Sequence, residues 1–191
     1  MSQLTVYKET GEQLLHTSDV EKIAEVLDGV GVHFTRWHAA HAVGKGMTPE
    51  QIMQCYQSDI SYFVEKSGYQ KVDVISMHSE HPQKQALREK FLSEHKHQED
   101  EIRFFVDGEG LFTLHINDKV YSVLCCQNDL ISVPAGTKHW FDMGTAPTFT
   151  AIRFFNNPEG WVAHYTGSDI AKQFPEYHAE PVQEKKVTCK L

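Results

Sequence analysis

Three histidines and one glutamate in this chain are spaced as ligands for a single metal ion. His95, His97 and Glu101 lie in the run Glu94-His95-Lys96-His97-Gln98-Glu99-Asp100-Glu101. His139 follows in Pro134-Ala135-Gly136-Thr137-Lys138-His139-Trp140. Imidazole and carboxylate are ordinary donors to divalent transition metals, which bring Lewis-acid and redox chemistry that side chains lack. On a strand, residues i and i+2 share a face, so His95 and His97 can point at one ion. Each donor must sit about 2.0–2.2 Å from that ion. An extended chain would carry Glu101 roughly 13 Å from His97, at about 3.3 Å per residue. Gln98-Glu99-Asp100 is therefore expected to bend and bring Glu101 back, with His139 arriving from a neighbouring strand.

Alternation extends the site. If a strand opens at Glu101, Arg103 and Phe105 share its inward face, and a guanidinium there would favour an ionised substrate. Phe141 shares a face with His139 and can wall the same interior. Phe105 and Phe141 also suit an ordinary core, and Arg103 could instead pair with Glu99 or Asp100. Arg153 can face the interior or bridge strands.

The elements that must hold these residues change character along the chain. Ser18-Asp19-Val20-Glu21 reads as a capping box opening a helix through about Leu27, stopped by Gly29 and Gly31. Val32 to Trp37 alternates as a strand. Thr48-Pro49 opens a helix expected to run to about Lys66 and end at Gly68. Lys71 to Met77 is a strand, and His81 to about Leu92 a third helix. Beyond Ser93 the pattern becomes short strands: Glu101 to Val106, Leu111 to Ile116, Val120 to Leu124, Leu130 to Val133, His139 to Met143 and Phe149 to Phe154. Turn signals separate them at Asp107-Gly108, Asn117-Asp118, Asn128-Asp129, Pro134-Ala135-Gly136 and Ala146-Pro147. The expected fold is α+β and mainly β, with helices of the N-terminal part packed on a barrel. The stretch from about Ala171 to Leu191 is polar and reads as a surface wrap or a loosely ordered tail.

Composition narrows the function. A length of 191 residues suits one domain. The formal net charge of −8 argues against nucleic acid or an anionic membrane as partner. No apolar run is long enough to span a bilayer, and the N-terminus carries no secretory pattern. Cys55, Cys125, Cys126 and Cys189 form no CxxC pair and read as reduced thiols of a cytoplasmic protein. Cys125 and Cys126 should point to opposite faces of a strand, at most one of them inward. Nothing in the sequence demands a partner chain, so a monomer is expected.

The ligand run, Gly108 seven positions after Glu101, and Pro134-Ala-Gly-Thr-Lys-His139 resemble the two metal motifs of the cupin superfamily. The generic pattern is not followed at Glu89, Asn128 and Met143, while all four ligand positions are kept. The flanks Glu-Ile-Arg-Phe after the ligand run, Val-Pro-Ala-Gly-Thr-Lys-His-Trp-Phe-Asp, and Arg153-Phe-Phe leading to Trp161 look like the acireductone dioxygenases of methionine salvage. The resemblance implies one cupin domain over 1–191: a helix-rich part at 1–92, a metal-binding barrel (a double-stranded β-helix, or jelly roll) at 93–165, and a tail at 166–191. It also implies one Fe2+ per chain, with Ni2+ as the alternative.

The implied substrates are O2 and a small enediol, 1,2-dihydroxy-3-keto-5-methylthiopentene. Fe2+ would direct cleavage to 4-methylthio-2-oxobutanoate and formate. Ni2+ would direct it to 3-methylthiopropanoate, formate and carbon monoxide. The resemblance gives Arg103 a part in forming the substrate dianion, Glu94 one in metal incorporation and Asp100 one in transmitting conformational change, while Glu94 taken by itself reads as a solvated charge. Phe91 and Trp161 can supply apolar surface for the methylthio tail.

The residues themselves are consistent with this chemistry. Four protein donors on an octahedral ion leave two positions for a chelating enediol, and one carboxylate against M2+ leaves a net positive shell for an anion. Ligand type does not choose among Fe, Ni, Zn, Cu and Mn. A cupin isomerase or thiol dioxygenase would share the fold and ligands, and a binding module would not need open metal positions.

Overall fold

The computed structural model describes residues 1–44, 46–157 and 162–178. In chain order the elements are β1 (Gln3–Lys8), β2 (Gln13–Thr17), α1 (Val20–Asp28), β3 (His33–Arg36), α2 (Pro49–Cys55), α3 (Gln57–Ser67), β4 (Lys71–Met77) and α4 (Lys84–Leu92). They continue with β5 (His95–Lys96), β6 (Glu101–Ile116), β7 (Lys119–Cys126), β8 (Asp129–Val133), β9 (Lys138–Asp142), β10 (Phe149–Phe155) and β11 (His164–Tyr165).

β6 organises the barrel. Its first half pairs with β10 and β8, and its second half with β7 and β9, always antiparallel. Two sheets, β11-β5-β9-β6-β7-β1-β2 and β4-β10-β6-β8-β3, therefore share one long strand. Asp107-Gly108, expected as a turn between two strands, is instead a bend inside this strand. Gly108 takes φ +68, and its register against β10 slips between Thr150 and Ala151. A Cβ on Gly108 would lie 1.8 Å from the Thr148 carbonyl oxygen, so glycine is needed for close approach rather than for a reversal.

Period-two alternation sorts β6 into two environments. Ile102, Phe104 and Val106 pack with Ile52 and Ile60 of the helices and Tyr56 between them, together with Ile152 and Phe154. Phe105 and Phe112 turn into the barrel with Phe141, Phe149, Leu4 and Val6. That shared core joins the N-terminal strands to those that carry Glu101 and His139. The expected mainly β barrel with N-terminal helices against it is the observed architecture, with every strand pairing antiparallel.

Several boundaries differ from expectation. Asp19, not Ser18, caps α1: its carboxylate accepts from the Glu21 and Lys22 amides, and an anion suits a helix N-terminus better than a hydroxyl. Thr48 does cap α2, in a reciprocal box with Gln51. The helix predicted to run on to about Lys66 breaks at Tyr56, whose ring is buried and whose hydroxyl donates to His41 O at 2.8 Å. α4 starts at Lys84 because residues 78–83 close local turns, with the Gln83 amide on His81 Nδ1. The hairpin β1–β2 was not anticipated, although Leu4 and Val6 alternate inward. Asn117-Asp118 turns between β6 and β7 with both residues at positive φ, as a tight hairpin requires.

Cys125 and Cys126 are both buried, against the expectation of one, because the outer face of β7 is also covered; Cys126 Sγ donates to Glu109 there. The described first part of the tail wraps the surface and is docked rather than loosely ordered: Phe174 is buried against Val120 and Trp140. Cys189 and the tail beyond residue 178 lie outside the described residues.

Candidate metal centre

β5 and β9 pair so that His95 lies directly opposite His139, and Leu114 of β6 flanks His139 on the other side. Bends at Gln98 and Glu99 return the chain, and Glu101 opens β6 on the same interior. The turn at Pro134–Thr137 places Gly136 at φ +80 and sends its amide to His97 O at 2.8 Å. Asp100 Oδ1 accepts the Ala135 amide at 2.9 Å, which ties the ligand bend to the turn that launches β9.

His95, His97 and His139 bring one ring nitrogen each to within 4.8 Å of one another, all three residues buried. Their tautomers follow from their outer partners. His95 Nδ1 faces Ser93 O at 2.7 Å, His97 Nδ1 faces Val162 O at 2.9 Å and His139 Nδ1 faces Thr137 O at 2.8 Å. A carbonyl only accepts, so each Nδ1 carries a proton and each Nε2 can turn a lone pair inward.

Glu101 Oε2 meets that focus, 3.0 Å from His97 Nε2 and 2.9 Å from His139 Nε2. Two donors about 2.1 Å from one ion and at right angles to each other would stand about 3.0 Å apart. Glu101 Oε2 and His139 Nε2 are buried and make no hydrogen bond among the described residues. Acceptors converging without donors are what a cation would satisfy, so the donor set fits a divalent transition metal.

The electrostatics agree. Burial pushes the His95 imidazole down to about 4, helped by the charge of His139 nearby. Burial opposes ionisation of Glu101, but Arg103 and His139 hold its carboxyl well below the usual range. Burial also lowers His97, yet the 3.0 Å contact with Glu101 and its negative charge outweigh it and the net shift is upward.

A cavity of about 380 Å³ opens onto His95, His97 and Arg103. Arg103 Nε donates to Glu101 Oε1 at 2.7 Å, so it is buried in the site rather than paired with Glu99 or Asp100 at the surface. Its guanidinium lies 4.8 Å from the Phe141 ring and 5.6 Å from that of Phe112. Arg153 also faces this cavity, and Asp73 of the neighbouring strand grips it at 2.8 and 2.7 Å. Phe91 is a wall, with Ile75, Leu87, Phe155 and Tyr165. Phe105 and Phe141 sit in the core behind Arg103, not on the cavity surface. Trp161 lies outside the described residues. Glu94 is buried and points away from the ion focus, bonded to His115 and Thr166. A larger cleft of about 510 Å³, lined by Met47, His78, Asp107 and Thr148, contains none of the four candidate ligands.

Sequence reasoning missed Asp73, Lys71 and Ile75, although alternation along β4 puts all three on one face of the strand. It also missed Leu87, Lys90 and Tyr165, for which spacing gave no signal.

Among the described residues, no helix is long and apolar enough to cross a membrane. The sequence matches the ARD/ARD' family over residues 3–163. It is 57% identical over 177 residues to an acireductone dioxygenase of Cronobacter sakazakii, covering 92% of this chain and 98% of that one. It is 54% identical over 175 residues to an acireductone dioxygenase of Alcanivorax borkumensis, at 91% and 97% coverage. Among solved structures it is similar to an acireductone dioxygenase from Bacillus anthracis with a cadmium ion in its active centre, with a TM-score of 0.76 and 29% identity over 86% of this chain and 98% of that chain.

Proposed function

The chain belongs to the ARD/ARD' family of acireductone dioxygenases, and from that premise we propose that His95, His97, Glu101 and His139 hold one Fe2+, with Ni2+ as the alternative ion. The protein is a metal-dependent acireductone dioxygenase. Its substrates are 1,2-dihydroxy-3-keto-5-methylthiopentene and O2, and its place is methionine salvage. With Fe2+ the products are 4-methylthio-2-oxobutanoate and formate. With Ni2+ they are 3-methylthiopropanoate, formate and carbon monoxide. It works as a monomer in the cytoplasm; an acidic net charge of −8 fits neither nucleic acid nor an anionic membrane as partner.

The carrying observation is the conjunction of inward-facing donors with Arg103 in one cavity. A bound divalent ion supplies a site for chelation and the electronic means of bringing O2 and the enediol together. The protein residues do the rest. Arg103 stabilises the ionised enediol by charge-assisted hydrogen bonding and orients it. Phe141 and Phe112 support the Arg103 guanidinium, and Phe105 packs against Phe141. Arg153, held by Asp73, adds a second cation at the rim. Phe91 receives the apolar tail, the part that the sequence reading also gives to Trp161. Asp100 couples the bend at Gln98-Glu99 to the Pro134–Thr137 turn, so movement at one reaches the other. Glu94 anchors the backbone beside His95 and assists metal incorporation.

The test is to load metal-free protein separately with Fe2+ and Ni2+, add the enediol under air and identify the products. The reading expects oxygen uptake and formate with both ions, and carbon monoxide with Ni2+ alone. Absence of oxygen uptake with either ion, in protein that has taken up metal, overturns it and turns attention to another cupin chemistry.

A further inference from the structure

The wall of the metal cavity opposite β4 is α4, which supplies Leu87, Lys90 and Phe91. This helix has a weak hold of its own. No residue of its nine is buried, and Leu87 and Phe91 are only partly covered by the barrel core. Its strongest tie lies elsewhere. Arg88 grips Asp142 of β9 at two points, Nε to Oδ1 at 2.8 Å and Nη2 to Oδ2 at 2.9 Å. Asp142 is 1% exposed. Its remaining capacity is filled by the Gly144 amide on Oδ1 and the Tyr177 amide on Oδ2, both at 2.8 Å. Glu176 adds a contact to Arg88 Nη2 at 2.8 Å, and Tyr177 donates its hydroxyl to Glu109. The same strand, three residues before Asp142, carries His139. The apolar wall and a candidate ligand are thus referenced to each other through one buried carboxylate.

We propose that Arg88 is a positioning residue: its two-point grip on Asp142 fixes the α4 wall at a set distance from the metal face and thereby selects the length of substrate tail. This rests on the acireductone reading of the site. A planar guanidinium fork defines both distance and angle, which an ammonium on a flexible stem does not. The docked segment at Glu176 and Tyr177 seals the ion pair from the outside. Without the fork, α4 keeps the partial burial of Leu87 and Phe91 and a long contact from the Tyr165 hydroxyl to Lys90 O, and the wall can recede from the ion.

The test compares Arg88→Met, which keeps the stem and loses the fork, and Arg88→Lys, which keeps the charge, with the unaltered metal-loaded enzyme. Two readouts are needed. Hydrogen exchange of amides 86–92 should quicken about tenfold in Arg88→Met, the measure of local opening, while β9 and β6 stay protected and metal content holds. The preference in kcat/KM for the methylthio enediol over an analogue lacking the terminal methylthio group should fall about tenfold, the scale expected for a loosened apolar pocket. Arg88→Lys should fall between the two. Equal loss of kcat/KM on both enediols would mark Arg88 as merely structural and overturn the selection role. Unchanged exchange in α4 would overturn the positioning role. Failure of the unaltered enzyme on both enediols would instead overturn the acireductone reading, and exchange would still decide whether Arg88 holds the wall.

Discussion

Glu101 Oε2 and His139 Nε2 face each other 2.9 Å apart inside the barrel, and neither has a hydrogen bond among the described residues. His139 Nδ1 already gives its proton to Thr137 O, so with a neutral His139 the facing atoms are both acceptors. A buried pair of this kind costs energy unless a cation lies between. His97→Ala removes another donor at the same focus. Metal affinity should fall by more than tenfold, the range seen even for outer-shell changes in metal sites, and turnover should fall with it. Metal analysis of protein dialysed against a weak chelator checks this; a full equivalent of metal with normal turnover would refute the ligand assignment.

Arg103 should separate binding of metal from use of metal. Arg103→Ala is expected to keep the ion and the fold while kcat/KM drops about 100-fold, the size typical of losing a preorganised charge-stabilising group. Arg103→Lys should recover part of it. Circular dichroism and metal content taken with the kinetics decide, and metal loss with the fold intact would place Arg103 among the metal-holding residues instead.

The upward shift of His97 gives metal uptake a pH dependence. In the metal-free protein, Glu101 keeps the His97 proton to a pH above the ordinary 6.5, despite the opposing effect of burial. The stabilisation that this proton gives the metal-free fold is complete below 6.5 and is lost as pH rises through the raised value. An incoming ion must displace that proton, so apparent metal affinity should rise with pH through this range and each binding event should release protons. Calorimetry in buffers of different ionisation enthalpy reads the release directly. Affinity flat through this range would contradict the Glu101–His97 contact.

How far the sequence speaks for the structure depends on how local each feature is. The convergence of His95, His97 and Glu101 was readable because strand alternation and a simple reach argument act over seven residues. The same alternation placed Arg103 correctly beside Glu101. Gly108 misled, because a glycine after aspartate reads as a reversal, whereas only the presence of β10 alongside makes it a bend. Arg153 with Asp73, and Arg88 with Asp142, lie 80 and 54 residues apart in the chain, and no short-range pattern announces such partners. Asp19 was within reach, since a carboxylate beside a hydroxyl at a helix start is the stronger acceptor.

The bend in β6 makes a stability prediction with an internal control. Gly108→Ala would put a Cβ into backbone at positive φ, and Gly110→Ala would put one 2.4 Å from the Phe141 ring. Gly136 also has positive φ but opens onto space. Gly136→Ala should cost about 1 kcal/mol from backbone strain alone, and Gly110→Ala about 1–3 kcal/mol from overpacking. Gly108→Ala should cost most, because its obstacle is main chain. Thermal melts of the three variants test the order, and a Gly108→Ala protein as stable as Gly136→Ala would show that the strand does not need its bend.

Thiol reactivity should follow burial. Cys55 is exposed, while burial pushes the Cys126 thiol up to about 11 and Cys125 well above its usual value. Iodoacetamide at mildly alkaline pH should label Cys55 in the folded protein and spare Cys125 and Cys126 until denaturant is added. Peptide mapping by mass spectrometry reports each site, and early labelling of Cys125 would mean that the barrel wall opens.

The most direct test of the metal site is an anomalous-scattering map of crystals loaded with Fe2+ or Ni2+. One strong peak is expected about 2.0–2.2 Å from the Nε2 atoms of His95, His97 and His139 and from a carboxylate oxygen of Glu101, the distances normal for such donors. A peak elsewhere, or one bound by the histidines with Glu101 turned away, would contradict it.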